Sequence, residues 1–269
     1  MPDSHLKVVV CTARRHGAVL RVINAIKKAE PDGRLSLVGV IFDEGKQKPN
    51  RYKKFRRWVK KKGWSYALYR LYLTWKAGRY PSPSIDLFEI CREHQIPIHP
   101  VPSINAEEAK GMLKTWRPDI GVSSGNRIIH KSVFEIPRLG MINLHHGKMP
   151  EYRGGPPGFW EMYNHEEYMG ITVHKIDAKL DNGKILGQKL IPIDYETDTP
   201  GRLYQKAGRV DGKLIVEVLN NVWANESDPP QSGHSKKGKV YTLPGLKEIR
   251  FIGKQLNRPI DPIGYRAYQ

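Results

Sequence analysis

Short apolar runs alternate with helical stripes along most of the chain, and this rhythm sets the first expectation about the fold. Leu6 to Cys11 is a compact β-branched run, the pattern of a strand buried on both faces. Ala18 to Lys28 follows with Val19, Leu20, Val22, Ile23 and Ile26 on one helical face. Pro31-Asp32-Gly33 ends that stripe, and Leu35 to Phe42 is a second strand. The first 42 residues therefore read as one βαβ unit.

After an interruption the rhythm resumes. Ile85 to His94, Asn105 to Trp116 and His130 to Phe134 read as helices; Ile96 to Val101, Asp119 to Ser123 and Gly140 to His145 read as strands. Repeated βα alternation predicts an α/β fold, a Rossmann-like open and mostly parallel twisted sheet with helices on both faces. Beyond His145 the character changes. Gly147 to Gly158 is rich in glycine and proline. Met169 to Ile176 and Lys184 to Ile193 are two strands joined through Asp181-Asn182-Gly183, a hairpin-type turn. Thr199-Pro200 opens a helix whose stripe, Leu203, Ala207, Val210, Leu214 and Val218, predicts one continuous element. Residues 225–239 read as a polar loop. The expected organisation is a main domain over 1–224, interrupted by a helical insert at 45–83, with a short extension over 225–269.

Composition narrows the class. The 269 residues include only two cysteines, Cys11 and Cys91, too few for a disulfide scaffold or a cysteine zinc site. No run of apolar residues reaches the length of a membrane span. The first five residues lead into the first strand without a leader pattern, which sets the expected address in the cytoplasm.

Charge changes the picture more. The chain carries 45 Lys and Arg against 27 Asp and Glu, a net +18. From Lys46 to Arg79 there are thirteen basic residues and no acidic one, so most of the excess sits in one block. Trp58, Trp64, Leu68, Leu71, Tyr72 and Trp75 recur within it at helical spacing, which predicts an amphipathic helix or helix pair. Two partners suit residues 46–79: an anionic membrane surface, giving a peripheral location at its inner face, or nucleic-acid phosphates with the aromatic rings as stacking platforms. A solvated lid whose aromatics form its own small core also fits.

The sharpest local chemistry is Asn143-Leu144-His145. Side chains alternate along a strand, so Asn143 and His145 share a face at the C-terminal end of a strand, where open α/β sheets bind ligands. An amide donor beside an imidazole suits an oxyanion and a proton transfer. The pair alone also fits a turn cap and a hydrogen-bonded core histidine. Asp181, before Asn182-Gly183, likewise fits a turn cap.

Taken in order, five segments form a longer pattern: Asn143-Leu144-His145; Met149-Pro150; Tyr152-Arg153-Gly154-Gly155; Gly170-Ile171-Thr172-Val173-His174; and Leu180-Asp181-Asn182-Gly183. This series resembles the catalytic domain of the folate-dependent formyltransferases. Their members act on glycinamide ribonucleotide, on methionyl-tRNA and on nucleotide-linked amino sugars. The interval of 36 residues from His145 to Asp181 agrees with the resemblance, which extends over residues 1–42 and 84–220 and leaves out the basic insert.

The resemblance implies a catalytic set of Asn143, His145 and Asp181 and 10-formyltetrahydrofolate as the co-substrate. It implies that the carrier is held near Asn126, Arg127, Ile128 and Ile129 and by the loop from Asp177 through Leu180; the two isoleucines also fit ordinary core. It implies N-formylation of a primary amine, with Asn143 donating to the developing oxyanion. No metal is called for, although His145, His146, His165 and His174 invite the thought. Tyr152 to Trp160 looks more like the sugar-nucleotide members, with Arg153, Gly154 and Trp160 in acceptor binding. Thr12 to Gly17 replaces the phosphate loop of the purine enzyme, and too few residues follow the last stripe for the β-barrel of the tRNA enzyme. A nucleotide-linked amino sugar is thus the favoured acceptor. An aminoacyl-tRNA, glycinamide ribonucleotide or a small metabolite stands as alternative, as does a non-catalytic polyanion-binding protein on the same scaffold. A homo-oligomer is compatible with the sequence.

Overall fold

The computed structural model describes residues 5–45, 51–77, 85–178, 183–225 and 238–257. Its framework is a sheet whose first strand, β1 (Leu6–Thr12), lies near the middle. β1 pairs in parallel with β2 (Leu35–Asp43) on one side and with β4 (Ile120–Ser123) on the other. β3 (Ile98–Val101) extends the first side. β5 (Met141–His145), β7 (Tyr168–Lys175) and β8 (Ile185–Pro192) extend the second, giving the order β3-β2-β1-β4-β5-β7-β8. The first five strands run parallel, and β7 turns back antiparallel to β5. The order reverses between β1 and β4, which makes a crevice at their C-terminal ends the topological binding position.

The sheet's two faces are both covered, as the unbroken apolar run of β1 requires. Val8 and Val10 belong to one core cluster and Val9 and Cys11 to the other. Helix α1 (Ala18–Ala29) covers the first face, burying Ala18, Val19, Val22, Ile23 and Ile26. Each fully buried Val or Ile contributes about 1.5–3 kcal/mol relative to exposure. Helices α5 (Glu107–Trp116) and α6 (Lys131–Phe134) supply Ala109, Leu113, Val133 and Phe134 to the second. α4 (Leu87–Glu93) adds Leu87, Ile90 and Cys91 to the first cluster, its N-terminus capped by Asp86 accepting from the Glu89 amide. Burial pushes the Cys11 thiol up to about 12 and that of Cys91 to about 11.

The basic insert forms two helices, α2 (Arg51–Lys62) and α3 (Trp64–Ala77), joined at Gly63. Residues 78–83, the end of the expected insert, lie outside the described residues.

One expectation is overturned. The stripe from Leu203 to Val218 is not one helix but two, α8 (Pro200–Gly208) and α9 (Asp211–Asn225). Thr199 caps α8 as expected, accepting from the Arg202 amide. The break leaves Asp211 at the start of α9 with no exposed surface, paired with Arg21 of α1. A tertiary ion pair and two glycines, Gly208 and Gly212, accompany this boundary, while helical spacing runs straight across it.

The C-terminal extension docks on the main domain. β9 (Lys239–Tyr241) pairs with β6 (Tyr152–Gly154), so Lys239, assigned to the polar loop, is in a strand. Helix α10 (Leu246–Gln255) buries Ile249 and Ile252 in the first core cluster, on the side of α7 (Phe159–Tyr163). No helix among the described residues is long and apolar enough to cross a membrane.

Candidate active site

The last strand of the parallel set carries the polar groups. In β5, Ile142 and Leu144 pack into the first core cluster and Met141 into the second. Alternation then places Asn143 and His145 on the Met141 side, at the C-terminal end of the strand. The neighbouring β7 sets His174 opposite Asn143 and Thr172 opposite His145.

Hydrogen bonds orient both side chains. His174 Nδ1 lies 2.8 Å from the Lys175 carbonyl, which accepts its hydrogen. His174 Nε2 then accepts from Asn143 Nδ2 at 3.3 Å. Asn143 is held by one amide hydrogen and has a second to offer a ligand. His145 is buried, and its Nε2 donates to the Tyr152 carbonyl at 2.9 Å. The rings of His145 and His174 meet edge to face, with centroids 6.3 Å apart. Gly147 makes this packing possible: a Cβ there would sit 2.5 Å from His145 Nε2 and 2.5 Å from the Tyr152 oxygen.

His146 points elsewhere. Its Nε2 donates to Asp211 Oδ1 at 3.0 Å, while Arg21 Nη2 reaches Asp211 Oδ2 at 2.7 Å. Burial favours the neutral acid at Asp211, but the His146 and Arg21 contacts outweigh it and hold the carboxyl below the ordinary range. Asp211, the partner of His146, and the contact of His174 with Asn143 were not foreseen from the sequence. His174 stood inside a quoted motif; nothing local marked Asp211.

The residues expected near the carrier spread along the strand ends. Asn126 follows β4, and its Nδ2 donates to the Cys11 carbonyl at 2.6 Å and to Ser123 Oγ at 3.3 Å. Ser123 lies opposite Asn143 in the β4–β5 ladder, so Asn126 stands at the switch-point crevice beside β5. Its Oδ1 is buried with no hydrogen-bond partner, an acceptor suited to a ligand N–H. Arg127 is instead engaged by Asp43 at the end of β2, Nε to Oδ2 at 2.9 Å. Ile128 is 68% exposed, whereas Ile129 is core. Asp177 follows β7 and is half-buried. Leu180 and Asp181 lie outside the described residues. At Gly183, the first described residue beyond them, a Cβ would sit 1.8 Å from the Lys175 carbonyl oxygen.

Arg153, Gly154 and Trp160 line a small cavity with Tyr152, Glu161 and Tyr241, beside His146 and Gly147. Arg153 Nη2 donates to the Gly238 carbonyl at 2.7 Å and Trp160 Nε1 to that of Thr242 at 2.8 Å, so both are tied to the C-terminal extension. Glu161 was not foreseen. It is almost fully buried, its Oε1 has no hydrogen-bond partner, and burial pushes its pKa up to about 7 with the Glu166 charge adding to the effect. Its apolar neighbours Phe159, Trp160, Met162 and Tyr163 were the local signal that could have marked it. Among the described residues, no three His, Cys, Asp or Glu side chains gather as a metal site.

Residues 86–219 match the family model described as formyl transferase. The methionyl-tRNA formyltransferase of Kosmotoga olearia is 34% identical over 149 residues, covering 55% of this chain and 48% of that protein. Among solved structures, the phosphoribosylglycinamide formyltransferase of Bacillus halodurans superposes with a TM-score of 0.59 at 17% identity, covering 82% of this chain and 97% of that one. A sugar N-formyltransferase from Shewanella superposes with a TM-score of 0.57 at 16% identity, covering 91% and 79%. These structural likenesses speak for the fold. The chain spans half or less of the length of the first curated relatives it matches.

Proposed function

Because the chain belongs to the formyl transferase family, we propose that it moves a formyl group from 10-formyltetrahydrofolate to a primary amine. The observation that carries the reading is the Asn143–His145 pair on the end of β5, with the Asn143 amide oriented by His174. The carrier supplies an electrophilic formyl carbon. Asn143 donates a hydrogen bond to the formyl oxygen as charge builds on it, a contribution of about 3–4 kcal/mol when such donors are removed elsewhere. As the bond from the formyl carbon to the carrier nitrogen breaks, His145 takes part in moving the proton that the attacking amine loses toward that departing nitrogen. Asp181, assigned on its Leu180-Asp181-Asn182-Gly183 motif, holds His145 in the required protonation state. Asn126 Oδ1, buried and without a partner, fits an N–H of the pterin, and exposed Ile128 offers it an apolar contact. Asp177 and Leu180 complete that side of the assignment.

For the acceptor we favour a nucleotide-linked amino sugar. The likeness of the Tyr152 to Trp160 stretch to the sugar-nucleotide members supports this reading; the cavity that Tyr152, Arg153, Trp160 and Tyr241 line has room for about one water, so these groups would meet such an acceptor at their edge. Similarity to methionyl-tRNA formyltransferases over half the chain supports a second reading, with methionyl-tRNA as acceptor. Spectroscopic detection of tetrahydrofolate release against a panel of amino-sugar nucleotides, small amines, glycinamide ribonucleotide and methionyl-tRNA separates these. Asn143→Ala should lower turnover on the best acceptor by about a hundredfold to a thousandfold with the melting temperature retained. No release with any acceptor, or full turnover in Asn143→Ala and His145→Ala, would overturn the assignment.

A further inference from the structure

The α2–α3 hairpin has an inner side and an outer side of different chemistry. On the inner side, Tyr66 and Ala67 of α3 are 2% and 0% exposed, and Tyr69 packs against the main core. Phe55 and Trp58 of α2 are half-buried; Phe55 meets the Trp64 ring edge-on at 5.6 Å and Trp58 lies under the Arg70 guanidinium at 4.8 Å. These contacts account for how the hairpin holds together and sits on the domain.

The outer side is a row that solvent reaches, and it starts at Trp64, whose ring edge also meets Phe55. Along α3, Trp64, Leu68, Leu71, Tyr72 and Trp75 are 66%, 57%, 41%, 51% and 59% exposed. Their spacing of four, three, one and three residues lines them into one helical stripe about 16 Å long. Along α2, Lys53, Arg56, Arg57, Lys60 and Lys61 are exposed at the matching helical spacing, and neither helix has an acidic residue. Five large apolar side chains in one exposed stripe form a patch that water disfavours and that a partner covers. The cationic stripe beside it selects a partner of negative charge.

We infer that the hairpin docks this protein on an anionic phospholipid surface, the α3 stripe entering the headgroup–acyl boundary and the α2 cations contacting the headgroups. Aromatic and leucine side chains on one helix face, with Lys and Arg beside them, are the composition of an interfacial helix. Nucleic acid would be drawn by the same cations, but Leu68 and Leu71 sit mid-stripe and offer no face on which a base stacks. The inference is independent of which amine is formylated. It concerns where the reaction takes place and what acceptors are within reach.

Flotation of the full chain with vesicles of phosphatidylglycerol and phosphatidylcholine, against vesicles of phosphatidylcholine alone, tests it. Binding should follow the anionic lipid and weaken as salt rises. Neutralising Lys53, Arg56, Arg57 and Lys60 to alanine should weaken binding by about a hundredfold or more. Leu68→Ser/Leu71→Ser/Trp75→Ser should do the same with the melting temperature unchanged. Unaltered vesicle binding by the triple variant would overturn the proposal. So would retention of the protein in solution with every vesicle while it shifts a tRNA on a gel, an outcome that assigns the face to nucleic acid. A lipid-independent dimer that the triple variant dissolves would assign it to a second copy of the chain.

Discussion

Helices α1 and α3 each carry an apolar stripe, and they turn it in opposite directions. α1 presses Val19, Val22, Ile23 and Ile26 against the sheet and leaves its lysines outside. α3 seats a narrow strip of Tyr66 and Ala67 inward and shows a broader row of Trp, Leu and Tyr to solvent. Periodicity in the chain reveals that a helix has an apolar face but not which medium that face meets. In α1 the face is spent on stability. In α3 it is left available, and the neighbouring cations indicate for what kind of surface.

Substitutions inside and outside the domain should break or sharpen this contrast. The largest effect is expected at Asp211, which shares its buried carboxylate between His146 and Arg21. Asp211→Ala should destabilise the fold by about 3–5 kcal/mol, because it empties a fully buried position and removes the hydrogen-bond partner of both a half-buried guanidinium and a nearly buried imidazole. Its carboxyl is held below the ordinary range, so its contribution is present above the unfolded-state pKa and is lost as pH falls through the folded one. Urea unfolding at neutral and acidic pH would register the convergence of variant and parent; a constant difference at all pH values would refute the ion-pair account.

Ile23→Ala in α1 comes next, with a loss of about 2–5 kcal/mol expected for a fully buried side chain. Glu161→Gln acts in the other direction. Its folded pKa is about 7 against an ordinary 4.5, so ionisation costs stability progressively as pH rises between those values. Removing the charge should leave the melting temperature near that of the parent at pH 4.5 and raise stability by up to about 3 kcal/mol above pH 7. A uniform shift across pH would show that Glu161 does not titrate in place. The smallest effect belongs to Leu68→Ala on the outer face of α3, which should stay within about 0.5 kcal/mol. A loss there as large as that of Ile23→Ala would mean that the stripe is packed inside the fold, and the contrast between the two helices would disappear.

Much of the architecture was legible because it rests on local pattern. The βα alternation, the unbroken apolar run of β1 and the Thr199 cap are all statements about neighbouring residues, and each corresponds to an observed element. The pairing of Asn143 with His145 needed only the two-residue period of a strand. The split between α8 and α9 was masked by the spacing, which Val210 keeps; Gly208 and Gly212 on either side were its local signal, and the close approach of Gly212 to Arg21 and Ala25 of α1 belongs to the tertiary structure. The tie between Arg153, Trp160 and residues 238–242 was equally hidden, since nothing near β6 announces a strand that arrives from the far end of the chain.

The sequence by itself determined the element order, the strand end that carries the Asn-x-His pair, the family motif and the block of uncompensated positive charge, since each is a property of contiguous residues. Tertiary structure alone decided that His174 orients Asn143, that Asp211 meets an arginine 190 positions away, that Glu161 is enclosed, and that the broad face of α3 looks outward. Those outcomes depend on which distant groups share a neighbourhood, and burial and pairing energies act only once the chain has brought them there.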